Sequence, residues 1–127
     1  MKKCFTSGTE WENIVGYSRA VRVGNVIEVS GTVASDGNNV IGKNDVYLQT
    51  KFILKKIEFA LKESDASLND VVRTRIYVKD ISKWSEVAKA HQEVFGNIKP
   101  ASTMVEVSSL ILPEYLVEIE ATAVLEI

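Results

Sequence analysis

Apolar and polar positions alternate along the 127-residue chain in patterns that mark out strands and helices before any single residue is weighed. Residues 20–34, AVRVGNVIEVSGTVA, hold two β-branched runs separated by Gly24 and Asn25. This is the signature of a hairpin in which glycine supplies the positive φ of a tight turn. Residues 35–45 are polar and glycine-containing, hence a loop, and Asp45 is placed to cap a helix reaching about Ser64. That helix carries Val46, Ile53, Ile57, Ala60 and Leu61 on one face and Leu48, Phe52 and Phe59 on a second stripe. Two apolar faces predict contact with both a sheet and another helix.

Residues 71–80 alternate cleanly, with Thr74, Ile76 and Val78 on one side and Arg73, Arg75, Tyr77 and Lys79 on the other. Residues 82–96 place Trp84, Val87, Ala88, His91, Val94 and Phe95 at helical spacing, and Gly96 is suited to end that helix. After Lys99-Pro100 the stretch to residue 109 reads as a strand, Pro113 breaks it, and residues 115–127 form a last strand. The order ββαβαββ predicts an α+β fold with one mixed sheet and two helices on one face. The other face would carry Ser30, Thr32, Tyr77 and the glutamates of the last strand, and packing it in an oligomer would resolve its mixed character.

Composition narrows the picture. The length suits one domain, residues 1–127. At 46% hydrophobic and 25% charged, with two prolines, the chain is expected to be ordered, apart from residues 1–13, which read as a mobile segment. A net charge of −2 without a basic run argues against nucleic acid as a partner. The start, MKKCFTSGTEW, lacks the apolar core of a secretory signal, and no run of 18 apolar residues exists to span a membrane. A cytoplasmic protein is the expectation. Cys4 is the one cysteine, which rules out an internal disulfide and a thiolate metal site.

Candidate chemistry lies on the strands. Glu118 and Glu120 stand at i and i+2, so both carboxylates emerge on one side of the last strand, ~7 Å apart. If that face is covered, one of them has a raised pKa and suits general acid or base work; otherwise they are a solvated or ion-paired couple. Arg73 and Arg75 repeat the spacing, either as partners of those glutamates or as a fork for a substrate carboxylate. His91, the single histidine, reads as a half-buried packing residue with one hydrogen bond. No metal site is expected, because it has no second histidine or cysteine in pattern. Neither Gly-x-Ser-x-Gly nor a phosphate-binding glycine loop is present.

Four segments in order carry a resemblance. GYSRAVRVGNVIEVSGTVASD, DVVRTRIYVKDISKW, VFGNIKPASTMVEVSSL and VEIEATAV resemble the RidA/YjgF family, the reactive enamine and imine deaminases also called L-PSP endoribonucleases, over about residues 14–125. The resemblance implies a chorismate-mutase-like fold, a homotrimer closed as a trimeric barrel, and small-molecule clefts between subunits. It implies that Tyr17, Ser30 and Gly31 line the cleft, that Glu118 is catalytic, positioning a water or moving a proton, and that Glu120 stands just outside it. The reaction needs no cofactor.

The family's Pro-Ala-Arg arginine is replaced here by Ser102, its helix asparagine by Ala88, and its frequent cysteine by Met104. Serine carries no charge and forms no bidentate pair with a carboxylate. That argues against amino-acid-derived imines as substrates and is similar to the YjgH-like branch, in which Arg19 or Arg75 would supply the cation. Three readings stay open: an imine or enamine hydrolase, a metabolite-binding sensor of the same shape, and an endoribonuclease, the last opposed by the acidic charge.

Overall fold

The computed structural model describes residues 1–126, and Ile127, the end of the expected last strand, lies outside them. A six-stranded mixed sheet forms the frame. It begins with β1 (Lys2–Phe5), followed by the short helix α1 (Glu10–Val15). Both fall in the N-terminal segment for which the sequence pattern predicted no element. β1 pairs antiparallel with β2 (Ala20–Val23), from Lys2 opposite Val23 to Phe5 opposite Ala20.

β2 and β3 (Val26–Thr32) form the expected hairpin, with Gly24 at φ 61° supplying the turn. The expected loop contains a small hairpin of its own, β4 (Ser35–Asp36) and β5 (Asn39–Val40). Helix α2 (Val46–Glu63) begins as predicted, the Asp45 side chain accepting from Leu48 N–H at 3.0 Å. β6 (Val71–Val78), α3 (Trp84–Phe95), β7 (Ala101–Glu106) and β8 (Val117–Val124) complete the chain. The sheet runs β1-β2-β3-β8-β6-β7, and β6 and β7 are parallel because α3 crosses between them.

α2 and α3 cover one sheet face, as predicted. Beneath them lie Ile27 and Val29 of β3, Ile76 and Val78 of β6, Val117 and Ile119 of β8, and Ile53, Leu54 and Ile57 of α2, all nearly solvent-free. Burial of these side chains is the main driving force for the fold. α2 touches both the sheet and α3, as predicted, and Phe52 of its second stripe packs against the core, but the rest of that stripe does not. Leu48 and Phe59 are exposed, and the seam with α3 carries polar links instead: Tyr47 Oη donates to Glu93 Oε1 at 2.5 Å, and Lys51 Nζ reaches the same oxygen at 3.3 Å.

The open sheet face holds Arg73, Arg75, Tyr77, Glu118 and Glu120, each half-buried. Thr32, expected on that face, is buried instead. A β-bulge explains the change: Val29 lies opposite Ala121 but Thr32 opposite Ile119, so β3 carries one extra residue at Ser30–Gly31. The extra residue reverses the alternation and turns Thr32 inward, where its hydroxyl donates to Ser30 O at 2.8 Å.

Candidate functional site

The bulge opens a cleft. Ser30 and Gly31 leave the ladder where β3 faces the start of β8, and the chain segments around residues 7–19 and 33–38 wall the space between them. The cavity is about 910 Å³, within the size range of small-molecule sites. Tyr17, Arg19, Ser30, Gly31, Glu118 and Glu120 all line it. Six of the residues singled out in the sequence are thus brought together by the fold.

Their interactions are specific. Glu118 lies against the bare Cα of Gly31: a side chain on Gly31 would place its Cβ 3.1 Å from the Glu118 carboxyl carbon. Burial pushes the Glu118 carboxyl above the ordinary carboxylate range, Arg19 pulls it back, and Glu120 adds to the rise. Arg19 donates through Nη2 to Gly31 O at 2.7 Å, and its Cζ sits 5.7 Å from the centre of the Tyr17 ring. Its Nε is buried without a hydrogen-bond partner. Ser30 donates its hydroxyl to Ser18 O at 2.6 Å, so toward the cleft it offers acceptor lone pairs.

Glu120 accepts from Tyr77 Oη at 2.9 Å and lies 3.7 Å from Arg75 Nε, and that hydrogen bond raises the Tyr77 pKa. Arg75 is therefore held on the open sheet face by the structural pairing that the spacing allowed, and it is not among the residues lining the cleft. Arg73 turns to Thr103, donating at 2.8 Å.

Ser102 and Met104 are elsewhere. They lie on edge strand β7 and line a second hollow of about 450 Å³ between that strand and α3, with Ala88, His91 and Phe95. Within one chain the nine substitution-bearing and cleft positions implied by the resemblance divide between these two hollows, leaving Arg75 outside both.

One cleft residue, Lys56, and one residue that braces the cleft wall, Glu12, escaped the sequence reading. Lys56 lies between the two apolar stripes of α2, and its Nζ donates to Val33 O at 3.0 Å, Ser35 O at 2.9 Å and Ser35 Oγ at 3.1 Å. Burial, then the nearby Arg19 charge, lowers its pKa to about 8. Glu12 of α1 is buried and accepts from Thr6 Oγ1 at 2.7 Å, Thr9 Oγ1 at 2.9 Å, and both Ser7 N–H and the Ser7 hydroxyl. It thereby ties down the segment that walls the cleft. Spacing gave no sign of Lys56; the run Thr6, Ser7, Thr9 before Glu12 is a capping-type pattern that a closer reading of the first turn would register.

Fold and cleft together define a small α+β protein with one mixed sheet, two helices packed on one face and a cleft at the β3 bulge. The Endoribonuclease L-PSP family model matches residues 8–125, and the chain belongs to that family, the YjgF/Rid proteins. Rv2704 of Mycobacterium tuberculosis, a member of the YjgF/YER057c/UK114 family, is 49% identical, with a TM-score of 0.91 over 98% of this chain and all of its own. The Rid family protein YyfA of Yersinia pestis is 29% identical, with a TM-score of 0.87 over 98% of this chain and all of its own. Among curated sequences, a RutC family protein of Pyrococcus abyssi is 42% identical over 108 residues, 84% of each chain. No described helix is long and apolar enough to cross a membrane.

Proposed function

We propose that the protein is a homotrimer whose intersubunit clefts bind and hydrolyse small reactive imines or enamines. The observation that carries this reading is the Glu118 carboxylate, raised in pKa, resting against Gly31 in a cleft with Arg19 and Tyr17. In the reaction Glu118 takes a proton from water as the water oxygen attacks the imine carbon. The protonated Glu118 passes that proton to the nitrogen, giving a carbinolamine, and then moves the hydroxyl proton to nitrogen as the C–N bond breaks, so that ammonia leaves and a carbonyl compound remains. Of the two arginines, Arg19 lines the cleft, beside Lys56, while Arg75 lies outside it and pairs with Glu120.

A second copy completes the site. Ser102, Met104 and Ala88 of one protomer's α3–β7 hollow would face the Glu118 cleft of the next, joining the two groups that a single chain keeps apart. Exposed apolar side chains at the cleft margin, Trp11, Val15 and Ile111, are the surfaces such packing would cover. The site's serine in place of the arginine points to substrates without a carboxylate.

The test is ammonia release from 2-iminobutyrate and from an uncharged imine. Turnover of the uncharged imine that Glu118→Gln abolishes supports the reading, and equal turnover by that variant removes it. A sensor that breaks no bond is the second reading. It is favoured by Ser30 and Gly31 O, whose hydroxyl and carbonyl are already engaged within the chain. Tight ligand binding without turnover would select it. RNA fits the cleft poorly, because Glu10, Asp36, Glu118 and Glu120 outweigh Arg19 and Lys56 along its walls.

A further inference from the structure

The α3–β7 hollow has a built-in polar chain at its floor. Thr74 of β6, fully buried, donates through Oγ1 to Ser102 Oγ at 2.8 Å, and the same oxygen lies 2.9 Å from His91 Nε2. Thr74 has a single proton, and Ser102 takes it. With that proton placed on Ser102, His91 donates its Nε2–H to Thr74 as the Nε2–H tautomer. The chain therefore runs one way, from His91 through Thr74 to Ser102, and leaves the Ser102 proton directed away from Thr74. Hydrogen bonds aligned in this sense polarise one another and strengthen the terminal donor. His91 is held in place by Phe95, with ring centres 4.7 Å apart.

The surroundings say what that donor meets. Ile76, Ala88, Phe95, Pro100 and Met104 make the hollow largely apolar, and Lys99, exposed at its rim, is the one charged residue lining it. We propose that His91 is a positioning residue that, through Thr74, fixes Ser102 as a hydrogen-bond donor to the carbonyl oxygen or imine nitrogen of an uncharged, apolar small molecule. The inference deepens the cleft reading above by naming the ligand class and the group that reads it.

Protonation of His91 keeps the same direction and strengthens the donor. Burial lowers the His91 pKa, so this strengthening sets in below the ordinary histidine range. From the elements packed around it, β6 presents Thr74 and Ile76 and β7 presents Ser102 and Met104, none of them charged, and Lys99 at the rim is the one charged residue lining the hollow. Affinity for an acceptor ligand rises as pH falls through the His91 pKa.

The chain has one histidine, so its imidazole is a single, assigned reporter in NMR. Long-range nitrogen–proton correlation on the free, full-length protein at pH 7.5 is expected to show the Nε2–H tautomer; an Nδ1–H tautomer overturns the proposal. Cyclohexanone serves as the uncharged acceptor probe and is expected to shift the His91 signals. Thr74→Val and His91→Phe should each weaken its binding about fivefold, the worth of one neutral hydrogen bond. His91→Gln, which retains a donor at the same reach, should restore it. Unchanged affinity in both Thr74→Val and His91→Phe, or no binding of the ketone by the unaltered chain, overturns the proposal. Light scattering on the same samples separates the two readings, since relay-dependent binding by a monomer keeps this inference and removes the intersubunit cleft.

Discussion

Glu118 and Gly31, from strands adjacent in the sheet, are packed so closely that the carboxylate occupies the space a side chain at residue 31 would need. Gly31 is not held at a positive φ, so alanine meets no backbone penalty there, and the group it displaces is the end of a flexible side chain. Gly31→Ala should therefore cost under ~1 kcal/mol of stability. It should still reduce imine turnover at least tenfold, because a misplaced base loses its alignment with water. Urea denaturation and an ammonia-release assay on one preparation check both halves.

Arg19 and Glu118 are coupled by charge across the cleft, and the pH profile of turnover is where this would be read. The Arg19 charge favours the ionised carboxylate, while burial and Glu120 oppose it. Removing the cation in Arg19→Leu leaves the opposing influences alone and makes Glu118 harder to ionise. Because a general base works only when ionised, the acidic limb of the pH–rate profile should move to higher pH in this variant. A limb that stays in place would detach Arg19 from the titrating group.

Glu12 makes a separate, structural prediction. Burial alone would raise its pKa, but the hydroxyl and amide donors of Thr6, Ser7 and Thr9 outweigh that and lower it. A carboxyl with a lowered folded pKa stabilises the fold above its unfolded value and loses that contribution as pH falls through the folded value. Glu12→Ala leaves those donors without their acceptor, at a cost of about 2 kcal/mol. Limited proteolysis should then cut within the Thr6–Gly16 segment before the sheet core yields.

These examples also show how far the sequence could be read. The hairpin at Gly24, the Asp45 cap and the alternation of β6 rest on local pattern, and each appears at its expected place. Tyr17, Ser30, Gly31 and Glu118, which the family resemblance groups with Ser102, line one cleft of the chain, whereas Ser102 lies in the other hollow. Thr32 was misplaced because a bulge adds one residue, and period-2 reasoning has no means of sensing it. β1 was missed because its polar lysines lie on an edge strand, where exposure permits them. Lys56 sits in the cleft through the depth of its helix in the fold, which no spacing encodes.

His91 links the relay to stability. Its only resolved influence is burial, which disfavours the charged ring and puts the folded pKa below the unfolded value near 6.5. Below that value the unfolded chain takes up a proton that the folded chain resists, so stability is full above it and lost as pH falls toward the folded pKa. His91→Gln removes this titration while keeping a donor for Thr74. Denaturation at pH 7.5 and 5.5 should show the unaltered chain losing more stability than His91→Gln over that interval. Glu118 acts in the opposite sense, because its raised pKa makes the folded state the better proton acceptor as its carboxylate titrates. Comparing Glu118→Gln with the Glu118→Gln, His91→Gln pair removes that contribution. An equal loss in the two members of the pair would show that the imidazole is as well solvated in the folded chain as in the unfolded one, against its burial beneath Phe95.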